Sequence, residues 1–105
     1  MSTMPEDLPH PDRDDIRIEA VLHALADPVR LQVVRELARI GGGIACGTID
    51  VPVTKSTLTH HLRVLREAGV TRTVPSGTAR IASLRRDDLD ALFPGLLDGI
   101  LAARK

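Results

Sequence analysis

The side chains with chemistry to offer in this 105-residue chain are one thiol, four imidazoles and a run of hydroxyls beside basic groups. They are densest in KSTLTHHLRVLREAGV, Lys55 to Val70. Ser56 and His60 are four residues apart, the spacing of a nucleophile and its base on one helical turn. Their face points outward and implies no pocket. No glycine-rich phosphate loop or metal cluster accompanies them, so catalysis is not expected. At 100° per residue, Leu58, Leu62 and Leu65 fall on one side of a helix. Ser56, His60 and Arg63 fall opposite, flanked by Thr57 and Thr59, with Lys55 in the first turn. His61 lies at the edge of the apolar stripe. Val64 lies on the outward half, where the periodicity does not explain it.

A helix that met only water would carry long charged side chains paired at four-residue spacing. This face is made of short hydroxyls, an imidazole and an arginine. Hydroxyls and helix N-termini donate to phosphate oxygens. Arginine grips guanine O6 and N7 with two bonds, and a threonine methyl meets the thymine methyl. The face therefore suits the major groove of double-stranded DNA.

The histidines do not suit a metal. His10, His23, His60 and His61 have no metal-ligand spacing with Cys46, and adjacent helical histidines project about 100° apart. No cofactor is expected. Cys46 reads as a small, partly buried residue. A redox-sensing thiol stays open, because nothing in the sequence sets its pKa.

Charge is balanced overall at 14 basic and 14 acidic residues, so its distribution matters more. From Met1 to Ala20, acids outnumber bases six to two; from Pro52 to Arg86, bases outnumber acids seven to one. The basic middle either meets a polyanion or is a solvated surface that binds nothing. With one Phe and no Trp or Tyr, a stacking platform for single strands is excluded. A single Cys excludes an intrachain disulfide framework and fits a reducing, cytoplasmic setting. No apolar run approaches the roughly 20 residues of a membrane span.

The length allows one compact domain. Residues 1–13, with three prolines, read as a flexible N-terminal arm, and 14–105 as a DNA-binding and dimerisation domain. Asp14 or Asp15 caps a first helix to about Leu25, with Ile16, Ala20, Leu22 and Leu25 among its apolar positions. A second helix starts at the Asp27 cap and Pro28 and ends at Gly41 to Gly43. Its stripe is Val29, Val33, Val34, Leu37 and Ala38. Arg30 falls within that stripe and calls for a carboxylate or phosphate partner, an internal ion pair being the simpler reading. IACGTIDVPV reads as a turn or one poor helical turn. The third helix runs from Lys55 to Ala68, capped by Thr54 and stopped by Gly69. TRTV and ARIASL flank PSGT as a β-hairpin over 71–84. Apolar residues at 89, 92, 93, 96, 97, 100 and 101 then repeat at helical spacing, with a break at Phe93-Pro94-Gly95. The fold class is mostly α: about five helices plus a two-stranded wing, a winged helix-turn-helix. In that fold the recognition helix enters the major groove and the hairpin reaches the flanking backbone or minor groove. Ser76, Thr78 and Arg80 around the hairpin tip complete the candidate DNA contacts.

HALADPVRLQVVREL followed by KSTLTHHLRVLREAGV resembles the ArsR/SmtB family of bacterial winged-helix repressors, over roughly Ala20 to Leu89. The resemblance implies a cytoplasmic homodimer on a partly palindromic operator, paired through its first and last helices. Ile16, Ile18, Leu96, Leu97, Ile100 and Leu101 are the candidate interface residues. Many members release DNA when metal binds, one site being a Cys-x-Cys pair and another using Asp and His on the last helix. Here Cys46 stands alone, and Asp87, Asp88, Asp90 and Asp98 have no histidine beside them. The ligand count argues against a metal sensor. An unknown small-molecule effector, a redox event at Cys46 or no effector remain. A dimeric interaction module without DNA binding is the alternative to the regulator, but it would not need arginines on the recognition helix and wing.

Overall fold

The computed structural model describes residues 8–104. Five α-helices and a small antiparallel sheet follow in the order α1 (Ile18–Leu25), α2 (Pro28–Ile40), β1 (Ile44–Ala45), α3 (Lys55–Ala68), β2 (Thr71–Ser76), β3 (Ala79–Leu84), α4 (Arg86–Leu92) and α5 (Leu96–Ala102). The sheet order is β1-β3-β2, so β2 is an edge strand.

Helices α2 and α3 begin and end where their capping chemistry says they should. At α2 the Asp27 carboxylate accepts from the backbone N–H groups of Val29 and Arg30, at 2.9 and 3.0 Å. Pro28 occupies the first turn, where its missing N–H costs nothing. Gly41 closes α2 in the left-handed region, its N–H donating to the Leu37 carbonyl at 3.0 Å. In α3 the Thr54 hydroxyl accepts from the Thr57 N–H at 3.2 Å. The helix stops at Gly69, φ +88°, and the Val70 N–H reaches back to the Leu65 carbonyl at 3.0 Å. That six-residue closure needs the left-handed conformation glycine adopts without cost.

The first helix departs from expectation. Arg13–Asp15 form a single 3-10 turn, and α1 begins only at Ile18 after Arg17, with no side-chain cap. Neither Asp14 nor Asp15 caps it. Ile16, in the link between the two, is buried and packs against Gly69. The IACGTIDVPV segment holds a strand that the reading as a turn missed. Ile44 and Ala45 pair with Ala82 and Ile81, and Cys46–Thr48 form one 3-10 turn. Two residues are too few for period-2 alternation to be visible, so the third strand comes from tertiary pairing alone.

The β2–β3 hairpin pairs Thr71 with Leu84 through to Ser76 with Ala79, leaving Gly77 and Thr78 as a two-residue loop. Gly77 supplies its positive φ of 64°. Phe93, Pro94 and Gly95 separate α4 from α5, as the break in the pattern predicts. The core gathers Val21, Ala24 and Leu25 of α1, Val33, Val34 and Leu37 of α2, and Leu62, Leu65 and Ala68 of α3. Ile16, Ile49, Val70, Ala82, Leu89 and Leu97 complete it. Each fully buried Leu or Val contributes about 1.5–3 kcal/mol relative to exposure. Val64 is half-buried against this core rather than outward.

An added Cβ at Gly69 would lie 2.5 Å from Cγ1 of Ile16, whereas at Gly77 nothing lies within 4 Å. Gly69→Ala is therefore expected to lose roughly 2–4 kcal/mol, from left-handed strain together with overpacking. Gly77→Ala should lose only the strain, about 1 kcal/mol. Urea unfolding of the two variants checks the difference. Equal losses would mean that Ile16 gives way freely.

Candidate nucleic-acid interface

The outward face of α3 is bare. Lys55, Ser56, Thr57, Thr59, His60 and Arg63 are all exposed, while His61, Leu62, Leu65 and Ala68 are buried. Two hydroxyls are partly occupied by their own helix. The Thr59 hydroxyl donates to the Lys55 carbonyl at 3.0 Å, and Thr57 Oγ1 accepts from Thr54 Oγ1 at 3.0 Å. These bonds fix the first turn and hold the threonine methyls in set directions. The α3 N-terminus adds its unsatisfied N–H groups and the positive end of the helix dipole.

The cations decide what this face is suited to. Among the described residues, Arg13, Arg17, Arg39, Arg85 and Arg86 each pair with a carboxylate. Arg86 also meets Asp98. Lys55, Arg63, Arg72 and Arg80 have no carboxylate partner within ion-pair distance among the described residues. These four cations sit on α3 and the hairpin; Arg35 on α2 donates to the Ala103 carbonyl at 3.0 Å, and Arg104, also without a carboxylate partner, lies near the C-terminus. Ser76, Thr78 and Arg80 are exposed at the hairpin tip. Strand alternation sends Arg72 and Arg80 to opposite faces of the hairpin, because Arg72 pairs with Ser83 and Arg80 with Pro75.

Arg30 is buried, but it does not have the expected carboxylate partner. Its Nε donates to the Ala24 carbonyl at 2.7 Å, and Nη1 lies 3.1 Å from Nδ1 of His61. Asp27, the nearby carboxylate, caps its backbone instead. The Arg30 N–H, first among the causes, holds the Asp27 carboxyl below its usual range. His61 is the residue the sequence undervalued. Its place between Leu58 and Leu65 at three- and four-residue steps was the available signal.

The part of the N-terminal arm within the described residues is fastened to the wing side. Pro9 and Pro11 carbonyls accept from Arg66 Nε at 3.3 Å and Arg85 Nη1 at 2.7 Å. Nε2 of His10 accepts from the Thr73 N–H at 3.0 Å, on the outer edge of β2. Residues 1–7 of the expected arm lie outside the described residues. Arg13 and Arg85 both hold Asp88, which depresses its carboxyl pKa, Arg13 having the larger effect.

Cys46 is half-buried, and burial pushes its thiol pKa up; Arg80 opposes this without reversing it. A raised pKa leaves little thiolate at neutral pH, the opposite of a poised redox sensor. Among the described residues, no three His, Cys, Asp or Glu side chains come together as a metal site. Asp88, Asp90 and Asp98 are occupied by arginines.

Residues 25–74 match a family model described as a helix-turn-helix domain, the span from the end of α1 into β2. The chain is 34% identical over 87 residues to the uncharacterized HTH-type transcriptional regulator YceK of Bacillus subtilis, covering 81% of this chain and 86% of that protein. It is 35% identical over 85 residues to the HTH-type transcriptional regulator Rv2034 of Mycobacterium tuberculosis, covering 72% and 78%. It is 30% identical over 78 residues to the arsenical resistance operon repressor of Bacillus subtilis, covering 73% and 74%. The chain belongs to the ArsR family of helix-turn-helix transcriptional regulators. The solved structure of the ArsR-family regulator RHA00566 shares the fold of this ArsR-family chain. Its TM-score is 0.64 at 23% identity, over 78% of this chain and 84% of that one. The repressor BigR of Xylella fastidiosa superposes with a TM-score of 0.58 at 26% identity, over 72% and 85%. The winged helix-turn-helix expectation is met, with β1 as a third strand beside the wing, and the family is one of regulators rather than enzymes. No helix among the described residues is long and apolar enough to cross a membrane.

Interface residues expected from the sequence divide into two sets. Ile18 of α1 is exposed at 41%; Leu22, outside the expected set, is exposed on the same helix at 47%. Leu96, Ile100 and Leu101 of α5 are half-buried. Ile16 and Leu97 instead face the chain's own core, at 7% and 2% exposure. The reason for Ile16 is the late start of α1, which leaves it in the inward-turning link.

His10 makes the arm sensitive to pH. Burial first, then Arg72, Arg66 and Arg85, lowers its pKa below the ordinary imidazole value. Only the neutral ring can accept from Thr73. A pKa depressed in the docked state means that docking is fully supported above the ordinary value of about 6.5 and is lost as pH falls through the lowered value. Amide exchange followed by NMR should show the Thr73 N–H losing protection on acidification, ahead of the β2–β3 ladder. In His10→Ala, Thr73 should be unprotected throughout. Unchanged Thr73 protection in that variant would mean that the arm does not cover this edge.

Proposed function

We propose that this regulator is a cytoplasmic repressor that binds a partly palindromic operator as a homodimer. In this reading α3 lies in the major groove and the β2–β3 hairpin acts as the wing. The observation that carries it is that Lys55, Arg63, Arg72 and Arg80, exposed and without a carboxylate partner among the described residues, gather on α3 and the hairpin, whereas Arg35 and Arg66 donate to backbone carbonyls and Arg104 lies apart near the C-terminus. Base readout falls to Arg63 and His60, with Ser56, Thr57 and Thr59 close to the base edges or phosphates. Lys55, Ser76, Thr78 and Arg80 hold the backbone. A relative named as an arsenical resistance repressor makes a metal effector worth weighing. The lone, half-buried Cys46 and the arginine-bound aspartates speak against it. An unidentified small molecule, or protein abundance alone, is the reading the residues favour.

In vitro selection from a random duplex pool, followed by anisotropy titration at stated salt, tests this. Arg63→Ala should lose about 1–3 kcal/mol on the selected duplex and little on random duplex. Arg80→Ala should weaken both and reduce the salt slope by about 1. Failure to enrich any sequence would refute specific recognition.

Pairing through α1 and α5 would cover Ile18 and Leu22, which are otherwise exposed apolar side chains on one short helix. Joined by Leu96, Ile100 and Leu101, they form the strip offered to a second copy. Sedimentation at micromolar concentration should give a dimer, and Leu22→Glu should shift it toward monomer. A wild-type monomer under those conditions would remove this part of the proposal.

A further inference from the structure

Arg30 stands where three helices meet, and each of its three guanidinium nitrogens has a partner on a neighbouring helix. It is 9% exposed, as is His61. Nε donates to the Ala24 carbonyl at 2.7 Å, and Nη2 lies 3.5 Å from the His23 carbonyl. Both carbonyls belong to the last turn of α1, where the negative end of the helix dipole favours a cation; the His23 carbonyl also accepts from the Ala26 N–H at 3.2 Å. The backbone N–H of Arg30 is held by Asp27 at the start of α2. The remaining arm of the fork, Nη1, reaches 3.1 Å to Nδ1 of His61 in the middle of α3.

The chemistry of that last bond assigns the protons. A guanidinium has donors and no acceptor, so Nδ1 of His61 must accept and the ring proton must sit on Nε2. Nε2–H then faces Oδ2 of Asp27 at 3.9 Å, beyond a hydrogen bond but with favourable polarity. Asp27, Arg30 and His61 thus form a polar line from the half-exposed α2 N-terminus to the buried middle of α3.

We infer that Arg30 and His61 are positioning residues that set the rotation of α3 about its own axis, and through it the choice of DNA sequence. This rests on the reading of α3 as the recognition helix. Leu58, Leu62 and Leu65 bury the helix but do not orient it finely, since apolar burial is non-directional. A hydrogen bond to a buried guanidinium is directional. His61 follows His60 directly, and Arg63 is two steps further on. Fixing the azimuth of His61 therefore fixes where His60 and Arg63 point, at about 100° per residue. A rotation of α3 would leave the phosphate-seeking groups near the duplex but misalign the two-bond contacts to base edges, which tolerate little displacement. The tether also ties the angle of α3 to the end of α1.

Three variants separate this role from simple stability. His61→Asn keeps an acceptor close to the place of Nδ1. His61→Leu fills the space without one. Arg30→Lys keeps the charge but not the fork. In the DNA-free protein, long-range proton–nitrogen spectra should show the Nε2–H tautomer for His61. Residual dipolar couplings should show α3 reoriented relative to α2 in His61→Leu and Arg30→Lys, and unchanged in His61→Asn. On duplex DNA, His61→Leu and Arg30→Lys should lose roughly ten- to hundredfold in the ratio of selected to random binding. His61→Asn should keep that ratio. An Nδ1–H tautomer, or an α3 orientation unmoved in His61→Leu, overturns the inference without any DNA measurement. A loss equal on both duplexes, tracking the fraction unfolded in a thermal melt, also overturns it by reducing the pair to a stability role. If the wild-type protein selects no sequence, the recognition reading fails and the specificity role falls with it. If the wild type selects and His61→Leu keeps its ratio, only the positioning role fails.

Discussion

The α3 helix is held from one side only. Its inner face, His61, Leu62, Leu65 and Ala68, is buried against the other helices, and its outer face has nothing against it. The rest of the chain answers that requirement. A 14-residue helix anchored along one stripe must be stopped sharply, or its end would run past the core. Gly69 provides the stop, and the space left by its missing Cβ is filled by Ile16. The link before α1, the end of α3 and the start of β2 are thus packed at one point. The hairpin leaves from there in a fixed direction, because Val70 is buried and its carbonyl accepts from the Arg85 N–H at 2.9 Å. Helix and wing are rigidly related through that junction.

Most of this architecture was legible because its signals are local. Asp27-Pro28, Thr54 and Gly69 are punctuation with a mechanism, and the Lys55–Ala68 boundaries follow from them. The leucine spacing named the buried face of α3, and the hydroxyl and basic groups named the other. The misreadings share a cause, since each depends on contacts between distant segments. Ile44 and Ala45 become a strand only because β3 offers an edge. Arg30 finds carbonyls and an imidazole instead of a carboxylate because α1 ends beside it and α3 crosses above. Ile16 looked like the first residue of an apolar helix face. It became core because the chain turns inward before α1 starts. Composition and period carry no information about such meetings.

The candidate site shows the same division. Which side chains face outward on α3 could be read from helical periodicity. Which cations are free to act could not, since that depends on where the carboxylates lie. Asp88 and Asp90 neutralise arginines that look as available in the sequence as Arg63 or Arg80. Charge counting over Pro52–Arg86 therefore overstates the basic surface, and the ion pairs narrow it to the helix and wing.

The outer margin of β2 has a consequence for how these molecules behave in a crowd. An edge strand offers backbone donors to any passing strand, and pairing there joins molecules sheet to sheet. Along β2 the outward donors fall at alternate residues in register with Thr73, whose N–H is taken by His10. Two residues on, Pro75 has no N–H to give. Beyond Thr71, which is buried, a strand approaching this margin would meet one donor already used and one that does not exist. Within the wing, two residues of unlike chemistry take donors away from this edge, and they leave its tip free for other contacts.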